Sequence, residues 1–225
     1  MRAEQDILPV ARSKEDARRF YDRISGVYDY LTGTSERRYS AMALNLLSVG
    51  EGQSVLEIGC GTGHSLKRIA ELVGRTGKAY GVDISAGMLH VAGKRLAGAG
   101  LTDRVELYCG DALSLPYVGS AFHAVFMSFT LELFDTPEIP LLLREVKRVL
   151  RPGGKLGVIS MSAENGASLM LRLYQWAHGK WPAYIDCRPI YVERALKHAG
   201  YAISSREKVK LFGLPVEIAV ASKDA

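Results

Sequence analysis

Three glycines at alternate positions are the first residues in the sequence whose type and spacing indicate chemistry. Gly59, Gly61 and Gly63 follow an apolar run in the segment SVLEIGCGTGHSLKRIAEL, residues 54–72. Glycine lets a backbone turn sharply and approach a ligand closely, and amide groups at a helix start attract negative charge. A dinucleotide-binding turn needs G-x-G-x-x-G, but His64 stands at the last glycine position, and the Gly-Lys-Ser/Thr of a P-loop is missing. The turn therefore favours a ligand with a small anionic or zwitterionic end.

Three carboxylates accompany this turn. Asp83 ends the next expected strand, where an acidic residue accepts hydrogen bonds from ribose hydroxyls, although it could instead cap the helix beginning at Ser85. Asp111 follows the third strand and is either an acceptor for an adenine amino group or a turn residue. Glu57 lies in mid-strand, where a buried carboxylate needs donors or a cation to offset its desolvation. A ligand with an amino-acid end, a ribose and an adenine satisfies all three, and S-adenosylmethionine is such a ligand.

Short apolar strands alternate with amphipathic helices along the chain, and this order decides where the polar residues lie. The alternation predicts βαβ units and a mostly parallel sheet, which binds ligands beyond the carboxyl ends of its strands. The expected strands are 53–59, 78–84, 104–111, 122–129, 156–162, 201–210 and 214–222. The expected helices are 14–31, 36–48, 64–74, 85–99, 137–150, 166–178 and 189–199. Pro152 and the two glycines after it should end the helix 137–150 and break the chain before the next strand.

Composition places the chain among single soluble α/β domains. It has 225 residues, of which 48% are hydrophobic and 24% charged. Cys60, Cys109 and Cys187 are widely separated and form no CxxC pair, which argues against disulfides or a metal site and suits the cytoplasm. We expect neither a secretory signal nor a membrane-spanning segment. The net charge of +5 is interpreted as ordinary surface charge, although peripheral association with an anionic lipid surface is compatible with it; nucleic acid is not expected.

Five motifs occur in a fixed order over about residues 53–160: VLEIGCGTG, GVDIS, GDALSLPY, FHAVFMSFTLELF and REVKRVLRPGGKLGVIS. Together they resemble the class I S-adenosylmethionine-dependent methyltransferases. The resemblance implies a Rossmann-like methyltransferase fold, with a mostly parallel seven-stranded sheet, helices on both faces and an N-terminal helical cap. It also implies one domain, divided into a cap at 1–50, a cofactor-binding core at 51–160, a substrate-cover insertion at 161–192 and a C-terminal part at 193–225.

The resemblance further implies which residues bind S-adenosylmethionine. The glycine turn would pass against the methionine portion, with Glu57 near its ammonium group. Asp83 would hold the ribose, and Ser128 and Phe129 would border the sulfonium. Two further pairs would flank the adenine (Ile84, Met88) and read its edge (Asp111, Ala112). The complete prediction comprises Tyr21, Tyr28, Glu57, Gly59, Cys60, Gly61, Thr62, Gly63, Asp83, Ile84, Met88, Asp111, Ala112, Ser128 and Phe129.

The N-terminal segment FYDRISGVYDYL resembles the start of the quinone C-methyltransferases of the ubiquinone and menaquinone pathway. This likeness implies that Tyr21 or Tyr28 meets the cofactor carboxylate; the alternative is an amphipathic helix with its aromatic residues in the core. The chain departs from that group twice. It reads SERRYSAMAL where those enzymes carry a His and a Trp, and Ser160 stands where they carry a Glu. A quinone is therefore one candidate acceptor among several.

The segment 161–192 matches none of these motifs but is rich in aromatic residues, namely Tyr174, Trp176, Trp181, Tyr184 and Tyr191. It is predicted either to cover an apolar acceptor or to form a helical hairpin with its own core. His178 and Tyr174 are candidate catalytic residues, with an exposed helix-end position as the other interpretation of His178. Methyl transfer depends chiefly on alignment, and a base is required only where the acceptor loses a proton.

The predicted function is S-adenosylmethionine-dependent methylation of a small apolar or lipid-like acceptor, such as a quinone precursor. The alternatives are a phospholipid or amine N-methyltransferase and a non-catalytic S-adenosylmethionine-binding protein. An NAD-dependent oxidoreductase is disfavoured by the glycine spacing. A macromolecular acceptor is disfavoured because SFTL follows the fourth strand where nucleic-acid amino-methyltransferases carry an NPPY-type segment.

Overall fold

The computed structural model describes residues 7, 10, 12–29, 35–164 and 187–223. Its centre is a sheet of seven strands: β1 (Ser54–Ile58), β2 (Lys78–Asp83), β3 (Val105–Cys109), β4 (Phe122–Ser128), β5 (Leu150–Met161), β6 (Tyr201–Leu211) and β7 (Leu214–Lys223). Their order is β3-β2-β1-β4-β5-β7-β6. The first five strands are parallel, and β7 lies antiparallel between β5 and β6. The predicted mostly parallel seven-stranded sheet is confirmed.

The strand order reverses between β1 and β4. The chain leaves β1 toward β2 on one side and later returns to place β4 on the other side. Helices that follow these two strands therefore diverge, and a crevice opens at the carboxyl ends of β1 and β4. The predicted polar residues Glu57, Asp83, Asp111 and Ser128 lie at or just after a strand end near this crevice, whereas Tyr21 and Tyr28 come from the N-terminal segment.

Six α-helices are found within the described part of the chain: α1 (Lys14–Ile24), α2 (Ser35–Leu47), α3 (His64–Leu72), α4 (Ala86–Gly98), α5 (Ile139–Val149) and α6 (Val192–His198). Apolar residues of α2, α3 and α4 pack on one face of the sheet, and those of α5 and α6 pack on the other. On α5 the buried residues Leu142, Leu143, Val146 and Val149 form one stripe at helical spacing. None of these helices is long and apolar enough to span a membrane.

Two predicted boundaries differ from the structure. The helix expected over 14–31 ends at Ile24, where the Ser25 hydroxyl donates to the carbonyl of Asp22 at 3.0 Å and a turn follows. The sequence predicted that Pro152 and the glycines after it separate the helix from the next strand. The prediction of a break is wrong, because β5 begins at Leu150 and runs through these residues. Strand pairing shifts register between Leu150 and Lys155, since proline has no N–H to donate. The helix expected over 166–178 lies outside the described residues.

Candidate functional site

A cavity of about 450 Å³ opens at the carboxyl ends of β1, β2 and β4. A second cavity of about 80 Å³ adjoins it and shares Tyr28, Gly59, Gly61 and Ser128 with it. Predicted cofactor residues that line the main cavity are Tyr21, Tyr28, Gly59, Gly61, Asp83, Ile84, Met88, Asp111, Ala112, Ser128 and Phe129. The second cavity, here called the inner cavity, adds Glu57, Cys60 and Thr62. Gly63 alone of the predicted set lines neither cavity.

The three glycines of the turn have different surroundings, although all have positive φ. A Cβ at Gly59 would collide with Thr130, and one at Gly63 would stand 2.9 Å from the Cβ of Ala92 on α4. A Cβ at Gly61 would meet nothing within 4 Å. Gly59 and Gly63 therefore permit close packing inside the protein. Gly61 leaves an open wall on which a ligand can lie.

Asp83 connects β2 to the glycine turn. Its two carboxylate oxygens accept hydrogen bonds from the N–H of Gly61 at 2.8 Å and of Ser85 at 2.9 Å. Burial raises the pKa of Asp83, and these two N–H groups oppose the rise. The residue that caps α4 is Ser85, whose hydroxyl accepts from the N–H of Met88 at 3.0 Å. Each oxygen of Asp83 keeps a lone pair, so the carboxylate remains able to bind a diol at the cavity wall.

Glu57 presents an unsatisfied oxygen to the inner cavity. Its side chain is 2% exposed and its Oε2 atom has no hydrogen-bond partner. Burial and the negative charge of Asp83 raise the pKa of Glu57 well above its ordinary value, against the opposing effect of a hydrogen bond from Ser65. A buried carboxyl group in this state is suited to an incoming cation such as an ammonium group.

Two charged residues at the start of α2 also line the inner cavity, and sequence reasoning missed them. Burial raises the pKa of Glu36 to about 7, and no hydrogen bond or ion pair to Glu36 is found among the described residues. Nη2 of Arg37 lies 3.1 Å from Nε2 of His64 at the start of α3. Both residues lie in the segment SERRYSAMAL, which could have indicated them. The sequence analysis noted this segment only because it differs from the quinone enzymes.

The segment after β4 forms another wall of the main cavity. Phe129 has a φ of +51, which is strained for an aromatic residue, and its N–H donates to the carbonyl of Ile159 at 2.8 Å. Leu133 and Phe134 give this wall an apolar surface. The fully buried Arg188 fixes the wall by donating to the carbonyls of Glu132 and Phe134 and to the hydroxyl of Thr136. Arg188 was not predicted, because nothing in its sequence context distinguishes it.

The N-terminal segment is attached to the cavity by charged residues. Lys14 on α1 lies 2.7 Å from Oδ2 of Asp111 and 2.9 Å from Oε1 of Glu138. Asp22 accepts hydrogen bonds from the hydroxyl of Ser85 at 2.6 Å and from the N–H of Gly87 at 2.8 Å.

Two further observations concern this segment. Asp29 accepts from Thr62 at 2.6 Å and pairs with Arg95. The rings of Tyr21 and Tyr28 meet edge to face with centroids 6.2 Å apart, and both line the cavity. Tyr21 on α1 and Tyr28 after it are both only partly buried, so these tyrosines are wall residues and not core residues.

The candidate catalytic residues His178 and Tyr174 lie outside the described residues, as do Trp176, Trp181 and Tyr184. Tyr191 is described, and the guanidinium of Arg194 lies 4.7 Å from its ring centroid. Among the described residues no group of three His, Cys, Asp or Glu side chains is arranged to hold a metal ion.

Comparisons with known proteins agree with this geometry. Residues 55–154 match the family described as "Methyltransferase domain". A demethylmenaquinone methyltransferase of Lactobacillus johnsonii is 30% identical over 80% of this chain and 71% of its own length. The ubiquinone/menaquinone biosynthesis C-methyltransferase UbiE of Hahella chejuensis is 32% identical over 69% of this chain and 63% of its own length. The chain thus spans roughly two thirds of the curated relatives it matches.

A solved structure extends the likeness to almost the whole chain. The crystal structure of the (4+2)-cyclase SpnF superposes with a TM-score of 0.79 over 97% of this chain and 98% of that one, at 21% identity. At this identity the likeness establishes the fold.

Proposed function

The chain belongs to the S-adenosylmethionine-dependent methyltransferases, and we propose that its acceptor is a small apolar molecule with a quinone or quinol ring. The main cavity carries this proposal, because it combines two kinds of wall. Polar residues suited to a nucleoside, among them Asp83 and Asp111, line the cavity together with the apolar Leu133 and Phe134. The names of both relatives concern quinone biosynthesis, which favours a ring of this kind.

The residues present fit S-adenosylmethionine, which supplies an electrophilic methyl group on a sulfonium. Asp83 is positioned to accept from the ribose hydroxyls, and Gly61 leaves the wall open beside it. Asp111, Ala112, Ile84 and Met88 line the same cavity; Asp111 and Ala112 would read the adenine edge, with Ile84 and Met88 at its faces. Because Lys14 already pairs with Asp111, adenine and Lys14 would share this carboxylate.

The inner cavity suits the amino-acid end of the cofactor. Its volume of about 80 Å³ leaves room for little more than an ammonium and a carboxylate group. Glu57 and Glu36 would face the ammonium group, while Arg37 and Tyr28 would face the carboxylate. Oppositely charged partners at both ends of a zwitterion offset the desolvation of each group.

The remaining division of the chain is part of the proposal. Residues 1–50 would act as a cap, supported by the contacts of Asp22 and Asp29 with α4 and with the glycine turn. Residues 161–192 would cover the acceptor, although 165–186 lie outside the described residues. The chain then contributes alignment and exclusion of water, the two effects on which methyl transfer depends most.

The test is transfer of a labelled methyl group from S-adenosylmethionine to two acceptors offered separately, a reduced demethylmenaquinone and phosphatidylethanolamine vesicles. A reaction without acceptor is the control. We expect label in the quinol product, abolished in Asp83→Asn. Label only in the phospholipid would replace the quinol by an amine nitrogen as the acceptor. Cofactor binding without transfer to either acceptor would favour a binding protein.

A further inference from the structure

A tight hairpin at the edge of the sheet exposes a strained aromatic residue. Leu211 pairs with Leu214, so β6 and β7 are joined by Phe212 and Gly213, with φ angles of +50 and +83. A two-residue loop with positive φ at both positions is normally built from Asn-Gly, Asp-Gly or Gly-Gly. Phenylalanine is strained in this region, and Phe212 is nevertheless 73% exposed. Neither turn formation nor core packing accounts for an aromatic side chain here.

The hairpin projects from the same edge of the sheet as the cavity. β6 runs in the direction of β5, because both are antiparallel to β7. Met161, the last residue of β5, pairs with Val216 of β7, and Val216 pairs with Val209 of β6. Val209 therefore marks the position along β6 at which β5 ends. Phe212 is three residues farther along, so it lies about 10 Å beyond the end of β5. The tip therefore extends past the strand ends at which the main cavity opens.

Basic residues lie close in sequence to this tip or to its contact. Lys210 precedes the tip, and the hydroxyl of Tyr39, the residue after Arg38 on α2, donates to the carbonyl of Lys210 at 2.6 Å. Neither Lys210 nor Arg38 has an ion-pair partner within the described ranges, whereas Lys208 lies 3.0 Å from Glu164. An exposed aromatic residue flanked by uncompensated positive charge complements an anionic lipid surface.

We propose that the hairpin tip, residues 210–213, docks on an anionic lipid bilayer with Phe212 inserted at the head-group level. Lys210 and Arg38 face the lipid phosphates, and the carboxyl edge of the sheet is then turned toward the bilayer. A lipid-like acceptor reaches the cavity from the membrane in this orientation. Delivery of the acceptor rests on the proposed function, whereas docking on lipid does not.

The experiment is co-sedimentation of the full chain with vesicles of neutral phosphatidylcholine alone or with about a third phosphatidylglycerol. We expect the wild type to bind the anionic vesicles, and Phe212→Asn to bind them about tenfold more weakly, the effect of withdrawing most of one phenyl ring from an apolar environment. Lys210→Gln should weaken anionic binding about fivefold and leave neutral binding unchanged. Val118→Asn is the matched control. Val118 is 78% exposed, but it precedes β4 and therefore lies toward the amino ends of the parallel strands, away from the hairpin tip.

Thermal unfolding separates docking from a structural role of Phe212. Asparagine tolerates positive φ, so Phe212→Asn should raise the Tm by about 2–4 °C while vesicle binding falls. Three results overturn the proposal: no vesicle binding by the wild type, unchanged binding by Phe212→Asn, or an equal loss in Val118→Asn. If no acceptor is ever methylated, the vesicle results still decide the docking claim.

Discussion

Glu36→Gln should stabilise the protein at alkaline pH and leave its stability almost unchanged at acidic pH. Burial raises the pKa of Glu36 from 4.5 to about 7, which means that the folded protein holds this proton more tightly than the unfolded chain. At about 1.4 kcal/mol per pKa unit, the full effect is about 3 kcal/mol. Because the side chain retains some solvent contact, we reduce the expected value to roughly 1–2 kcal/mol.

The pH window follows from the direction of this change. Below pH 4.5 Glu36 is protonated in both states and contributes nothing. Between pH 4.5 and about 7 unfolding releases the proton, so the free energy of unfolding falls as pH rises. Above about 7 the folded protein carries a buried carboxylate, and the full destabilisation is present. A glutamine side chain does not ionise, so the free energy of unfolding of Glu36→Gln lacks this pH-dependent contribution.

The assay is urea unfolding of wild type and variant at pH 4.5, 5.5, 6.5, 7.5 and 8.5. Glu207→Gln, a change at an exposed position of β6, serves as the control. The difference between Glu36→Gln and wild type should grow by roughly 1–2 kcal/mol across this range, while that of the control stays flat. A difference independent of pH would refute the claim that Glu36 is buried with no hydrogen-bond or ion-pair partner in the part of the chain that the structure describes.

Three other substitutions test the site. Asp83→Asn should weaken S-adenosylmethionine binding by about 1–3 kcal/mol in calorimetry; unchanged affinity in the folded variant would exclude the ribose contact. Gly61→Val places a side chain in open cavity and should block binding with the far-UV circular dichroism spectrum retained, so wild-type affinity would contradict the open-wall argument. Lys14→Met removes the ion pairs to Asp111 and Glu138 and should speed proteolytic cleavage within α1 about two- to fivefold; an equal rate would show that other contacts hold α1.

The predicted site residues that line the two cavities are tied to local pattern. Gly59, Gly61 and Asp111 follow strands and Asp83 ends one, and parallel strands bring their carboxyl ends to one edge of the sheet. Glu57 was identified because a carboxylate inside an apolar strand is costly without a partner. In each case the residues next to it in the sequence are enough to explain why it was predicted.

The residues that it missed depend on contacts far apart in the chain. Lys14 meets Asp111 across 97 positions, and Arg188 near the end of segment 161–192 reaches the carbonyl of Glu132 across 56 positions. Glu36 and Arg37 lie in an ordinary helix start, and only the packing of α2 against the glycine turn makes them part of a cavity. No periodicity or composition reports such pairings, because they depend on tertiary structure.

The charges of the inner cavity give a reason to exclude a dinucleotide that is independent of glycine spacing. A pyrophosphate would bring two negative charges toward Glu57 and Glu36, whose pKa values are already raised by burial. Like charges in a site of low dielectric repel strongly. A zwitterionic amino-acid end brings a cation to these carboxyls and an anion to Arg37, so it offsets the unfavourable burial instead of adding to it. A turn of unusual shape could bind a dinucleotide despite the glycine spacing. The charge argument against a dinucleotide holds for any backbone geometry that keeps these side chains in the cavity.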